Sequence, residues 1–212
     1  LHGIAILYEK GLYAQCEKLM AKTMLLAEKH EMFLIMLELQ EWKMKLIRRQ
    51  FYLQKNRKDI DKIFDDSYSI IGQYKNVTEY SQFSSRLYME YFEKGLVRNK
   101  KDLKSYDSSI NVPVFVNEKN ALSFRAKLFY YNSHGLFSLV QEDYKNLYAY
   151  TRKYKELLEQ HPHYIIEEPR TYINSLCNLI FCLSNLMKYD EMFSAIQEMR
   201  SASEKYKIKS IP

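Results

Sequence analysis

Glycine and proline are scarce in this chain, five and four in 212 residues. A β-protein needs a turn about every 8–12 residues and relies on these two residues to make them. Their shortage argues against that class and favours long helices. The five glycines are also scattered singly, so no phosphate-cradling loop is present. Cysteine is sparse and odd in number: Cys16, Cys177 and Cys182. Cys177 and Cys182 lie about 140° apart round a helix axis and cannot bridge without breaking the helix. All three are expected to be reduced core residues in a reducing, cytoplasmic compartment. The longest apolar run, Ser175 to Met187, is shorter than the ~20 residues a membrane span requires, and Asn178 and Asn185 interrupt it. No signal peptide and no initiator Met are present, and Leu1 falls inside an apolar-periodic segment. The expectation is a fragment of a larger protein.

What is present is the composition of a folded protein, 47% apolar and 27% charged. The net charge of +6 and the sequence pI of about 9.0 favour acidic partners but are too diffuse to specify nucleic acid.

Apolar spacing of three and four residues dominates the chain. It predicts a helix ending at Lys10 and Gly11, a second over Leu12 to Lys29, and a third over Glu31 to Gln54. The third carries two apolar stripes, one with Phe33, Leu37, Met44, Ile47 and Phe51, the other with Ile35, Leu39, Trp42, Leu46 and Leu53. The stripes are about 200° apart, so both sides of this helix call for burial. Arg57 to Tyr74 shows one stripe, Ile60, Ile63, Phe64, Tyr68, Ile71 and Tyr74, as an outer helix would. Asn76 or Thr78 then caps a further helix that ends at Gly95. A short helix follows over Asn99 to Ile110. Residues 111–120, with Pro113 among β-branched neighbours, read as an irregular connector with extended backbone at Val112 to Val116, or as a domain boundary. Helices are then expected over Ala121 to Val140, Tyr144 to Gln160, Arg170 to Lys188 and Asp190 to Tyr206, before a basic tail at 207–212. The domain reading is one helical repeat domain over residues 1–206.

Turns recur along the chain. Tyr8-Glu9-Lys10-Gly11-Leu12 is echoed by Phe92-Glu93-Lys94-Gly95-Leu96, with the glycines 84 residues apart, two units of 42. Asp143-Tyr144 and Tyr189-Asp190 repeat a second turn, with tyrosines 45 residues apart. Two helices per unit of this length mark an α-solenoid. The residues also resemble the tetratricopeptide repeat (TPR) family. Leu176, Leu179, Ile180 and Leu183 fit the core of a first repeat helix, Lys188-Tyr189-Asp190 the turn, and Met192, Ile196 and Met199 the second helix. Leu128 to Leu158 fits likewise, with Gly135 at the close-packing point, as does the stretch from Gly3 through Gly11, Tyr13, Cys16, Met20 and Thr23. From Glu31 to Val116 the match lapses, with Lys100 and Lys104 where the family is apolar. The resemblance, to bacterial TPR-like proteins, covers about half the chain. It implies an all-α superhelix of about five hairpins whose concave face is lined by the first helix of each pair. The residues so placed are Phe129, Asn132, Leu136 and Leu139, then Asn174, Cys177, Phe181, Ser184 and Asn185. Asparagine amides can bond an extended peptide backbone, and Phe and Leu can supply apolar pockets.

Catalytic signals are weak. His161-Pro162-His163 with Glu167 and Glu168 lacks the i, i+4 spacing of helical zinc sites, and His134 has no nucleophile and acid beside it. His134 is expected as a satisfied buried histidine, and His161 as part of a helix end followed by a loop. No cofactor or metal is expected. The function that follows is a non-catalytic scaffold that binds a protein or peptide and is capable of self-association, with no membrane role. A second possibility is nucleic-acid binding through Lys43, Lys45, Arg48, Arg49, Lys55, Arg57 and Lys58 together with the chain's 19 tyrosines.

Overall fold

The computed structural model describes residues 1–49, 57–99, 103, 104, 106, 110 and 112–207. Among these, nine α-helices and one 3-10 turn occur and no strand. The chain is all-α. It divides into two compact units, Leu1–Asn76 and Val77–Pro212.

The first unit holds α1 (His2–Glu9), α2 (Tyr13–Lys29), α3 (Phe33–Arg49) and the start of α4 (Arg57–Lys94). α2 packs against both α1 and α3. Ile4, Cys16, Met20 and Ala27 are buried with Phe33, Leu39, Leu46 and Ile47. Members of both α3 stripes are therefore inside, as the double pattern requires; Phe51 and Leu53 lie outside the described residues. The Tyr8 ring meets Tyr13 and Trp42 edge-on, at 5.8 and 5.5 Å between centroids.

α4 differs from expectation in two ways. It is one helix of 38 residues, with no turn at Asn76 to Thr78. Neither glycine nor proline interrupts residues 73–94, and capping residues inside a helix are close to neutral unless tertiary packing favours a break. Here packing favours continuation, because Asn76, Val77 and Tyr80 are all buried. The inward stripe is also another one. Ile63 and Ile70 are buried in the first unit, and Val77, Tyr80, Ser84 and Leu87 in the second, whereas Phe64, Tyr68, Ile71 and Tyr74 are exposed. Positions 63, 70, 77 and 84 recur every seven residues, which keeps one face inward along a long helix.

The second unit continues with the 3-10 turn Glu118–Asn120, α5 (Phe124–Val140), α6 (Tyr144–Glu159), the short α7 (Pro162–Glu167), α8 (Pro169–Asn185) and α9 (Tyr189–Lys205). Ser123 Oγ and Asp143 Oδ1 cap α5 and α6 by accepting from Ala126 N and Asn146 N. Prolines open α7 and α8, where a missing N–H costs nothing. α6 packs on α5 and on α8, and α8 on α9. A polar cluster joins three of these helices: the Tyr172 hydroxyl stands within hydrogen-bond reach of Glu159 and Glu198 and has one proton to donate to either, and Lys155 Nζ bonds the same two carboxylates at 2.7 and 3.0 Å.

The segment 112–120 forms turns, and the extended backbone expected at Val112 to Val116 is absent. Phe115 N bonds Val112 O at 2.9 Å, folding the segment on itself. Phe115 is 1% exposed and its ring meets Tyr80 at 4.8 Å, while the Tyr80 hydroxyl donates to Val114 O. The segment is an anchor inside the second unit. Of the helix expected over 99–110, Asn99, Leu103, Lys104, Tyr106 and Ile110 are described; Asn99 lies in a bend and the other four are helical. Beyond Lys207 the tail lies outside the described residues.

One turn is used four times. Gly11, Glu31, Glu142 and Met187 each have φ between 49° and 69°. In each, the next residue's N–H reaches back five residues: Leu12 to Leu7 O, Met32 to Ala27 O, Asp143 to Ser138 O and Lys188 to Leu183 O. This is a Schellman closure, which satisfies carbonyls that a helix end leaves open. One residue further, the new helix opens on an aromatic side chain, Tyr13, Phe33, Tyr144 or Tyr189.

Candidate functional site

A recess in the second unit lies between α5 and α8, with α6 as its floor and Tyr88 and Tyr91 of α4 on one side. It has two lobes. The apolar lobe, about 220 Å³, is bounded by Tyr91, Leu136, Leu139, Leu147 and Phe181. The polar lobe, about 340 Å³, is bounded by Asn132, Thr171, Asn174, Cys177 and Asn178. Tyr88, Asn132, Tyr154, Ser175 and Asn178 border both.

Helical spacing explains the convergence. Asn132, Leu136 and Leu139 rise on one face of α5, and Asn174, Asn178 and Phe181 on one face of α8, at intervals of three and four. Gly135 faces the floor, where a Cβ would make an ordinary contact 3.7 Å from Leu147 Cδ1. Asn132 Oδ1 accepts from the Tyr88 hydroxyl at 3.2 Å, leaving its amide N–H groups to point elsewhere. The side chains of Asn174 and Asn178 make no hydrogen bond to the described residues, and neither does the Tyr154 hydroxyl. Burial pushes the Tyr154 phenol above its ordinary pKa, so it stays protonated. Among the described residues, no Asp, Glu, Lys, Arg or His lines either lobe. The chemistry on offer is neutral hydrogen bonding beside an apolar slot.

Of the residues expected on a concave face, Asn132, Leu136, Leu139, Asn174, Cys177 and Phe181 border the recess. Phe129, Ser184 and Asn185 do not; Asn185 Nδ2 is turned back to Phe181 O at 2.9 Å. Sequence reasoning missed Asn178, although it stands four residues from Asn174 on the same face. It also missed Tyr88, Tyr91 and Tyr154, which belong to other helices and carry no signal of their neighbourhood. Cys177 is exposed, correcting the expectation of three core cysteines; Cys16 and Cys182 are buried. The Cys177 thiol points at Met199 Sδ, 3.5 Å away.

The other candidates resolve into structure. His134 Nε2 donates to Phe115 O at 2.9 Å, and its ring stacks on Tyr150. His161 precedes a short helix where a loop was expected; its Nδ1 bonds Leu157 O and its ring lies 4.2 Å from Phe124. No group of three or more His, Cys, Asp or Glu among the described residues is placed to hold a metal. The basic residues of α3 are divided. Lys45 and Arg48 border one groove with Phe64 and Tyr68, whereas Lys43 borders another with Asp59 and Asp66. Arg49 lies over Tyr8, Arg57 lies 4.0 Å from Asp61, and Lys55 is outside the described residues. No helix among the described residues is long and apolar enough to cross a membrane.

In comparisons with known proteins, no family model, no curated protein and no solved structure matches this chain.

Proposed function

We propose that this chain is a non-catalytic binding scaffold, a TPR-like superhelix of helical hairpins that takes an extended segment of a protein partner in the recess between α5 and α8. The observation that carries the proposal is the convergence of Asn132, Asn174 and Asn178, with unused hydrogen-bonding capacity, on a slot walled by Leu136, Leu139 and Phe181. A peptide backbone in extended form offers an N–H and a C=O at each residue and needs donors and acceptors together, which an amide side chain supplies. Serial packing of α5 on α6, α6 on α8 and α8 on α9 supports the repeat reading, since solenoids bury their cores between successive neighbours.

The test is capture from native lysate on immobilised protein, against a variant carrying Asn174→Ala, Asn178→Ala and Phe181→Ala. All three side chains are exposed, so the fold should persist, which circular dichroism checks. Partner recovery should fall at least about tenfold, as expected when a central apolar anchor and its polar frame are removed. Equal recovery would sink the proposal. The basic–aromatic groove of Lys45, Arg48, Phe64 and Tyr68 supports the second reading, nucleic-acid binding. Binding there would weaken steeply with salt, whereas binding in the uncharged recess would not.

A further inference from the structure

We infer that the recess selects an uncharged internal stretch of its partner, seating one leucine- or phenylalanine-sized side chain in the apolar lobe and the flanking peptide bonds across the asparagines. This rests on the peptide-binding reading above and adds what kind of segment is taken.

The first observation is the lack of charge. In a chain where 27% of residues are charged, no charged side chain among the described residues borders either lobe. Tyr131, which borders the apolar lobe, donates its hydroxyl to Glu118 Oε1 at 2.6 Å, and Lys153 Nζ bonds Glu118 Oε2 at 3.0 Å, so this ionic pair is already closed. An incoming carboxylate or phosphate would lose hydration here without meeting a cation among the described lining residues, and an incoming ammonium would meet no anion among them. A chain terminus or an acidic motif is therefore a poor occupant. A peptide bond is a good one, because its neutral donor and acceptor match Asn174 and Asn178 and the spare donors of Asn132.

The second observation is size. At about 220 Å³ the apolar lobe is smaller than the ~300–1,000 Å³ of pockets that enclose whole drug-sized molecules, so it accommodates a single side chain. Leu136, Leu139, Leu147 and Phe181 make its walls apolar, and Tyr154 borders both lobes, where the bound residue's backbone would pass.

The experiment uses the whole chain, isotope-labelled, with asparagine side-chain amides followed by NMR. The probes are N-acetyl-L-leucine methylamide and N-acetyl-L-phenylalanine methylamide, each neutral, and N-acetyl-L-leucine, which presents a free carboxylate. The neutral probes should shift the Asn132, Asn174 and Asn178 amides saturably. The carboxylate should bind at least about tenfold more weakly, and Phe181→Ala should weaken the neutral probes with the spectrum otherwise preserved. Asn178→Ala serves as a second variant should Phe181→Ala disturb the fold. If the carboxylate binds as tightly as the neutral probes, the selection is wrong while the recess remains a peptide site. If no probe shifts these amides up to its solubility limit, both the selection and the peptide-binding reading fall.

Discussion

His134 shows how one side chain can be polar, half-buried and still structural. Its Nε2–H is spent on the Phe115 carbonyl, and the rings of Phe115, Tyr130 and Tyr150 surround it. Burial holds its pKa below the ordinary 6.5; the Phe115 carbonyl pulls the other way, and the Lys153 charge adds to the lowering. The unfolded chain takes up this proton near pH 6.5, while the folded chain resists until lower pH. The stability tied to neutral His134 is thus complete above about pH 6.5 and is lost as pH falls through the folded-state value. Urea midpoints measured stepwise from pH 7.5 to 5 should decline, and His134→Gln should flatten that part of the decline. An unchanged slope in the variant would remove His134 from the account. Sequence anticipated the satisfied side chain, since no nucleophile with an acidic partner stands beside it, but not that it is only partly buried. Cys177 was harder, because the expectations of a core cysteine and of a groove-facing residue exclude each other. Its spacing of three from Asn174 and four from Phe181 decides for the groove, where it is exposed.

At the scale of elements, the repeated turn carries strain that composition did not advertise. Gly11 suits its φ of 69°, but Glu142 and Met187 sit at 56° and 57° with a Cβ in the way. Met187 is 75% exposed, so removing its side chain forfeits little packing. Met187→Gly should raise stability by about 0.5–1 kcal/mol, the left-handed penalty less the extra freedom glycine gives the unfolded chain. A drop in the melting midpoint would contradict this. Leu183, at 2% exposure against Leu179 and Ala195, lies at the other extreme, and Leu183→Ala should cost ~2–5 kcal/mol in chemical denaturation. These hairpins were legible because each apolar period is cut by a clear turn. α4 was not, because Asn76 and Thr78 look like caps and the exposed Phe64, Tyr68 and Ile71 outweigh Ile63 and Ile70 in any local count. A seven-residue recurrence emerges only when the whole helix is taken as one.

For the whole molecule, the two buried thiols are divided between the units, Cys16 in the first and Cys182 in the second. Burial raises the pKa of both, which slows their reaction further. A thiol reagent at mild pH should modify one cysteine rapidly in the native protein, and all three under denaturation. Two or more rapid equivalents would show that a unit opens readily or that its core is misassigned. Each slow thiol then reports the opening of its own unit. At this scale the all-α class was plain from breaker scarcity and period. The recess was only partly so, because its α5 and α8 walls follow from spacing on single helices while Tyr88, Tyr91 and Tyr154 come from α4 and α6. Cys177, the exposed one, borders the polar lobe. A small environment-sensitive dye attached there would sit where a bound segment must displace it or change its surroundings. If the recess takes a segment as proposed, the protein so labelled would become its own fluorescent sensor, able to announce an occupant before that occupant has been purified.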